Sequence, residues 1–283
     1  MRLTLAVIMM CCCSRESLAE PPAKGGRLSQ AQLNFTLSSQ PTGLLIPLYL
    51  YPANVHTNPV YNRLIELKLQ YPRVPVCVIV NPADGPGKEV DGNHKEAIRR
   101  LSGAGCVVLG YVSTRYGKQP ITEVRADIKR WTSMYQDIGG IFLDEQSRAD
   151  EKALVDYYVE ATRTAHDEGF WPVFANPGTN QIEKYFTEPT ADVIVVHENE
   201  SYPDEKLMRG DYFGGHADFP PYRRAALVHS QAKENLAEFK KLAKYTRWIY
   251  VTDDEYRVND PKAQNPWDSL SKHTARLFEM LKE

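Results

Sequence analysis

The chain has 283 residues, 42% of them hydrophobic and 25% charged, with a formal net charge of −2. That composition excludes a disordered chain and suits a substantial globular core. No basic block offers an electrostatic reason for nucleic acid or an anionic membrane to be the main partner, whereas a neutral polymer such as polysaccharide needs no such field.

At the start, Arg2 precedes an apolar run from Leu3 to Cys13, and the small-residue pattern Ser17-Leu18-Ala19 precedes Glu20. This reads as a secretory signal peptide, residues 1–19, cleaved after Ala19, for a product that is secreted, periplasmic or held at the cell surface. The run is too short to span a bilayer, so no stable membrane insertion of the mature chain is expected. Cys11, Cys12 and Cys13 raise a lipid anchor, against which Met9-Met10 is a poor processing site; a disordered cytosolic N-terminus is the other reading. Residues 20–42, rich in Pro, Gly, Ser and Gln, form a leader, and residues 43–283 form the folded domain.

From Leu44 onward, short apolar runs alternate with amphipathic segments. The spacing predicts strand Leu44–Leu50, helix Pro59–Gln70, strand Val74–Val80, helix His94–Ser102, strand Cys106–Val112, helix Ile121–Tyr135, strand Gly140–Leu143 and helix Asp150–Glu168. It continues with strand Pro172–Ala175, helix Gln181–Phe186, strand Asp192–Val196, helix Asp204–Met208, strand Ala225–His229, helix Gln231–Ala243, strand Arg247–Val251 and helix Trp267–Lys282. Strands as continuously apolar as Val76-Cys77-Val78-Ile79-Val80 suit a parallel sheet covered on both faces. Eight such units make an α/β chain, a single (β/α)₈ TIM barrel. A doubly wound sheet is disfavoured, because no Gly-x-Gly-x-x-Gly turn follows the first strand.

A barrel of this kind builds its site where strands run into the following loops. In order those ends carry Tyr49 and Tyr51; Asn81; Tyr111, Thr114 and Tyr116; Asp144 and Glu145; Asn176; His197 and Glu198; His229; then Thr252, Asp253 and Asp254. One acid at a strand end is as readily a solvated loop residue. Two adjacent acids closing Ile141-Phe142-Leu143, answered by Glu198 two strands on, are harder to dismiss. Because side chains alternate, Asp144 and Glu145 should diverge. Glycosidic cleavage commonly needs one carboxylic acid on the leaving oxygen and one carboxylate at the anomeric carbon or its water, and Asp144 or Glu145 against Glu198 would supply that pair.

Aromatic rings stack on sugar faces, so the strand-end tyrosines are candidate substrate contacts as well as candidate packing, while Trp171 and Trp248 read as packing. A divalent ion held by Asp144, Glu145, Glu198, His229 and Asp253 is the competing chemistry, without any His-x-x-x-His spacing to specify it. His197 is expected to pack outward or to orient a carboxylate. Cys77 and Cys106 read as buried thiols; a disulfide between neighbouring strands stays open. The stretch Phe213-Gly214-Gly215-His216 and the turn Pro220-Pro221-Tyr222 match no motif.

Several stretches occur in order: Leu45-Ile46-Pro47-Leu48-Tyr49-Leu50-Tyr51-Pro52, Ile79-Val80-Asn81-Pro82 with Gly85-Pro86-Gly87, Leu109-Gly110-Tyr111-Val112-Ser113-Thr114, Gly140-Ile141-Phe142-Leu143-Asp144-Glu145, Asn176-Pro177-Gly178 and His197-Glu198. In these the chain resembles the spherulation-specific family 4 (spherulin 4-like) proteins, which include the secreted endo-α-1,4-N-acetylgalactosaminidases of glycoside hydrolase family 135. The resemblance implies a (β/α)₈ barrel that requires no cofactor and no metal. It implies Asp144 as nucleophile or electrostatic stabiliser, Glu198 as general acid/base, and Glu145 as a neighbour that binds substrate or tunes a pKa. Participation by a sugar acetamido group would change the nucleophile's identity. Tyr49, Tyr51, Asn81, Tyr111, Tyr116, Asn176, His229 and Asp253 are the expected substrate contacts of a monomeric enzyme acting on an amino-sugar polysaccharide. A metal-assisted barrel enzyme and a non-catalytic glycan-binding or coat protein are the alternatives.

Overall fold

The computed structural model describes residues 41–209, 219–260 and 264–282. The expected signal peptide, the leader up to residue 40 and the stretch Phe213-Gly214-Gly215-His216 lie outside the described residues. Eight parallel strands close into a barrel in chain order: β1 (Gly43–Pro47), β2 (Val76–Val80), β3 (Val107–Ser113), β4 (Gly140–Asp144), β5 (Val173–Ala175), β6 (Val193–Asn199), β7 (Arg224–Val228) and β8 (Trp248–Val251). Strand β8 pairs back onto β1 through Gly43 opposite Trp248. Every residue of β1, β2, β5, β7 and β8 is buried, as strands covered on both faces require.

The helices between them are α1 (Pro59–Gln70), α2 (Gly92–Gly103), α3 (Ile121–Met134), α4 (Lys152–Asp167), α5 (Lys184–Thr187), α6 (Glu205–Met208) and α7 (Leu236–Leu242), and α8 (Thr274–Leu281) follows β8. Helix α1 starts where Asn58 accepts the amides of Val60 and Tyr61, with Pro59 in the first turn. It buries Tyr61, Leu64, Leu67 and Lys68, one face at helical spacing. Lys68 lies at the barrel floor, its ammonium held by the carbonyls of Pro72 and Val74 at 2.8 and 2.9 Å.

The eight βα units stand as the sequence predicts, but six helices are shorter, α3 by one residue and α4 by three among them. Helices α5 and α6 are single turns. Helix α7 begins only at Leu236, because Asn235 caps it and Gln231 is drawn back to the carbonyls of Glu200 and His229. The last helix begins at Thr274 rather than Trp267; residues 267–273 run as a strap over the mouth.

Register fixes which side chains enter the barrel. Phe174 of β5 meets Trp248 of β8 edge-on at 5.6 Å between ring centroids, and a contact between strands that are not neighbours must cross the interior. Phe142 pairs with both Phe174 and Tyr111 in register, so this layer points inward. Side chains alternate, so the next inward layer is Ser113, Asp144 and Asn176. Strand β6 would present residue 197 by the same count. A bulge between Val195 and His197, opposite Ala225 and Ala226, shifts the phase by one residue and turns Glu198 inward instead.

Cys77 and Cys106 are free and buried, with burial pushing the Cys106 thiol up to about 12. Trp171 and Trp248 sit at strand beginnings, away from the mouth, with indole N–H groups buried and unpartnered. No helix among the described residues is long and apolar enough to cross a membrane.

Helix α3 seats on β3 through Trp131, which is fully buried and donates its indole N–H to the Tyr111 carbonyl at 2.9 Å. A Cβ at Gly110 would lie 2.6 Å from that ring. Gly110→Ala is therefore expected to cost about 2 kcal/mol through overpacking, read as a lowered urea midpoint with an unchanged slope.

Candidate active site

The mouth is organised around one side chain, Asn176, which is 6% exposed at the end of β5. Its amide nitrogen donates to Asp144 Oδ1 at 2.9 Å and to Glu198 Oε2 at 2.8 Å. Its own carbonyl oxygen accepts the Gly178 amide at 2.9 Å, which fixes the plane of the group. The two hydrogens of an amide diverge by about 120°, so the two accepting carboxylate oxygens stand about 5 Å apart.

Both carboxylates are half-buried at the floor of the mouth. Burial raises the pKa of Asp144 and the Glu145 charge adds to the rise, against hydrogen bonds from the Tyr111 hydroxyl, the Glu145 amide and Asn176. Glu198 is pushed up to about 7, first by burial and then by the Asp144 charge, although Asn176 and the Trp267 indole donate to it. Two like charges this close resist simultaneous ionisation.

Glu145 borders this pair without sharing the Asn176 amide. Its backbone is in the left-handed region at φ 56°, a conformation that costs a non-glycine residue roughly 1–3 kcal/mol and persists where surrounding bonds over-determine it. Those bonds are visible: its carbonyl accepts the Tyr116 amide at 2.7 Å and the Thr114 hydroxyl at 2.8 Å. Thr114 is in turn bonded to the buried Tyr158 hydroxyl at 2.9 Å. The side chain of Glu145 accepts the Ser113 hydroxyl at 2.6 Å, so the two adjacent acids bond to different strands, Glu145 to β3 and Asp144 to Asn176 at the end of β5. The left-handed backbone of Glu145, beyond the end of β4, and not strand alternation, sets its direction.

Three of the expected tyrosines face these acids. Tyr111 donates to Asp144, and its ring meets Tyr49 edge-on at 5.9 Å. Burial and then the Asp144 charge hold the Tyr49 hydroxyl well above its ordinary pKa. Tyr116 is 53% exposed, its amide bonded to the Glu145 carbonyl, and its hydroxyl pKa is raised first by burial and then by the charges of Glu145, Asp144 and Glu198. The other expected contacts are not gathered there. Tyr51 is exposed on the outer rim, bonded to Asp91 and Asn93 and lying edge-on to His94. Asn81 spends its side-chain oxygen on the Gly85 amide at 2.9 Å, bracing the loop after β2. Asp253 clamps the C-terminal strap through the Lys272 amide, the Lys272 ammonium and Ser271. His229 stands one layer behind, with its ring edge-on to Trp267 at 6.0 Å. His197 packs outward and bonds the Ser201 carbonyl. Among the described residues, no group of three or more His, Cys, Asp or Glu side chains is arranged to hold an ion.

Trp267 is the contact that sequence reading missed. Placed by periodicity at the start of the last helix, it instead occupies the strap and reaches Glu198 with its indole N–H at 3.2 Å. The signal was Asn265-Pro266 immediately before it, a turn-forming pair at which the Asn265 side chain accepts the Trp267 amide at 3.0 Å.

A closed parallel barrel whose C-terminal mouth holds a half-buried pair of carboxylates bridged by one amide defines the broad class of (β/α)₈ proteins with an acidic site. Within it the chain belongs to the spherulation-specific family 4, which matches residues 43–281. Spherulin-4 of Physarum polycephalum is 31% identical over 159 residues, 56% of this chain and 45% of that protein, so the likeness spans less than half the length of that relative. Among solved structures, Aspergillus clavatus Sph3 in complex with GalNAc superposes with a TM-score of 0.70 at 23% identity, covering 87% of this chain and 99% of that one. An endo-β-N-acetylglucosaminidase from Cordyceps militaris, bound to fucosyl-N-acetylglucosamine-Asn, superposes with a TM-score of 0.53 at 8% identity over 91% of this chain and 98% of that one. At such identities the structural likeness is one of fold.

The raised pKa of Glu198 bears on stability as well. Its ordinary value of 4.5 becomes about 7 in the fold, so its favourable contribution is complete below about 4.5 and is lost as pH rises through about 7. Glu198→Gln removes the buried charge. The variant should melt about 2–4 °C above the parent at pH 8, the gap closing toward pH 4.5 in differential scanning calorimetry.

Proposed function

We propose that the chain is a secreted glycoside hydrolase that cleaves an amino-sugar polysaccharide internally, at α-1,4-linked N-acetylgalactosamine or in a related exopolysaccharide. The observation that carries this reading is the single Asn176 nitrogen shared by Asp144 and Glu198. It draws one oxygen of each carboxylate to within about 5 Å of the other, a close spacing that supports a retaining pair over an inverting one. The likeness to a barrel solved with GalNAc supports the choice of sugar. The apolar run and small-residue site before Glu20 support export.

The chemistry divides between the two acids. Glu198, protonated up to about pH 7, gives its proton to the leaving glycosidic oxygen and afterwards takes one from water. Asp144, steadied by Asn176 and Tyr111, attacks the anomeric carbon, or orients and stabilises the acetamido group of the sugar when that group attacks instead. Glu145, tied to Ser113, borders the site, and its charge adds to the rise in the Asp144 pKa. Tyr116 offers an exposed ring to a sugar face.

Purified protein should release reducing ends from a polymer of α-1,4-linked N-acetylgalactosamine without added metal and unaffected by chelator. Its kcat/KM should fall as pH rises through about 7, when Glu198 loses its proton. Asp144→Asn and Glu198→Gln should each lower kcat by about 10²–10⁴-fold while the circular dichroism spectrum is retained. Glycan binding without release of reducing ends across a broad polysaccharide panel would identify a binding or coat protein. Loss of activity only on chelation would identify a metal enzyme.

A further inference from the structure

We propose that Trp267, on the strap between β8 and α8, is a positioning residue that fixes the orientation and proton of Glu198. The inference rests on the reading of Glu198 as the acid, and the contacts that support it are independent of that chemistry. Glu198 has two oxygens, each with its own donor: Oε2 receives the Asn176 amide at 2.8 Å and Oε1 receives the Trp267 indole N–H at 3.2 Å. Asn176 alone would leave the carboxyl plane free to turn about that one bond. A second donor from the opposite side of the mouth removes that freedom.

The tryptophan is itself tightly held. It is 6% exposed, its carbonyl accepts the Tyr49 amide at 2.8 Å, and its ring packs on Tyr250 and edge-on to His229. The strap on either side is pinned as well, by Asn265 on the Trp267 amide and by Asp253 on Ser271 and Lys272. The Tyr49 bond ties the strap directly to the residue that faces Asp144. A side chain present only to fill the core would require none of these polar attachments, and its indole N–H would not need to end on a carboxylate.

An indole N–H donates only, so it favours the ionised carboxylate and opposes the rise that burial imposes on Glu198. Removing that donor while keeping a ring should let the pKa climb. Trp267 thereby sets how far above neutrality the acid keeps its proton, and His229 behind it supports the ring rather than the substrate.

The chain has four tryptophans, so the indole N–H region of a ¹H–¹⁵N spectrum is simple enough to follow from pH 5 to 9. The indole signal that disappears in Trp267→Phe should titrate in the parent with a midpoint of about 7 and should be flat in Glu198→Gln. In Trp267→Phe the ¹³C-carboxylate signal of Glu198, assigned by its loss in Glu198→Gln, should titrate about one pH unit higher than in the parent. The alkaline limb of kcat/KM should move up by the same amount with KM nearly unchanged. An indole signal that does not titrate, or a Glu198 midpoint that stays where it was in a folded Trp267→Phe, overturns the proposal. If both signals behave as expected but no glycan is cleaved, the positioning role stands and the hydrolase reading falls.

Discussion

The mouth of this barrel depends on the two-residue repeat of its strands, kept in phase from one strand to the next by parallel hydrogen bonds. Phe142 and Phe174 are register partners facing the interior. Two residues further along each strand, Asp144 and Asn176 must therefore stand side by side, one layer nearer the solvent. Their hydrogen bond follows from the packing of the aromatic layer beneath. A change that slipped β4 against β5 would separate them and expose the phenyl rings at once, so the geometry of the polar layer is protected by the apolar one.

Electrostatics then works against the fold at this place and for it elsewhere. Asp144 and Glu198 are taken out of water beside one another, with no salt-bridge cation between them among the described residues; the neutral Asn176 amide is their shared donor, joined by the Tyr111 hydroxyl on Asp144 and the Trp267 indole on Glu198. Such donors cannot cancel charge, and the result is a site that holds on to a proton. The unfavourable terms are offset by the continuously buried strands below. Glu145 makes the same compromise through its backbone, where a left-handed conformation is retained by Thr114, Tyr116 and Tyr158.

The strands were legible because full burial on both faces leaves an unbroken apolar signature, and Pro59 and Asn58 announce α1 to the residue. The acids at the end of β4 were legible for the opposite reason, as an abrupt change from apolar to charged. Helix lengths near the C-terminus were less readable, since side-chain bonds from Asn235 and Gln231 outweigh periodicity over a turn or two. Strand position alone also could not separate Tyr111, which meets Asp144, from Tyr51, which meets Asp91. Asp253 and His229 sit at strand ends for structural employment, clamping the strap and backing its tryptophan. Trp267 lies on no strand, so a search confined to strand ends passes over it.

The bulge in β6 has an evolutionary reading. Whether Val196 is left unpaired between Val195 and His197 decides whether an imidazole or a carboxylate looks into the barrel. A chain of the same length that paired with β7 without the bulge would keep its apolar core and its strand order, yet set His197 opposite Leu227 where Glu198 now stands. A substitution that closes the bulge can thus exchange one ionisable group for another without the codon of either being rewritten. In a barrel of this construction, the local pairing of one strand is itself a heritable determinant of chemistry.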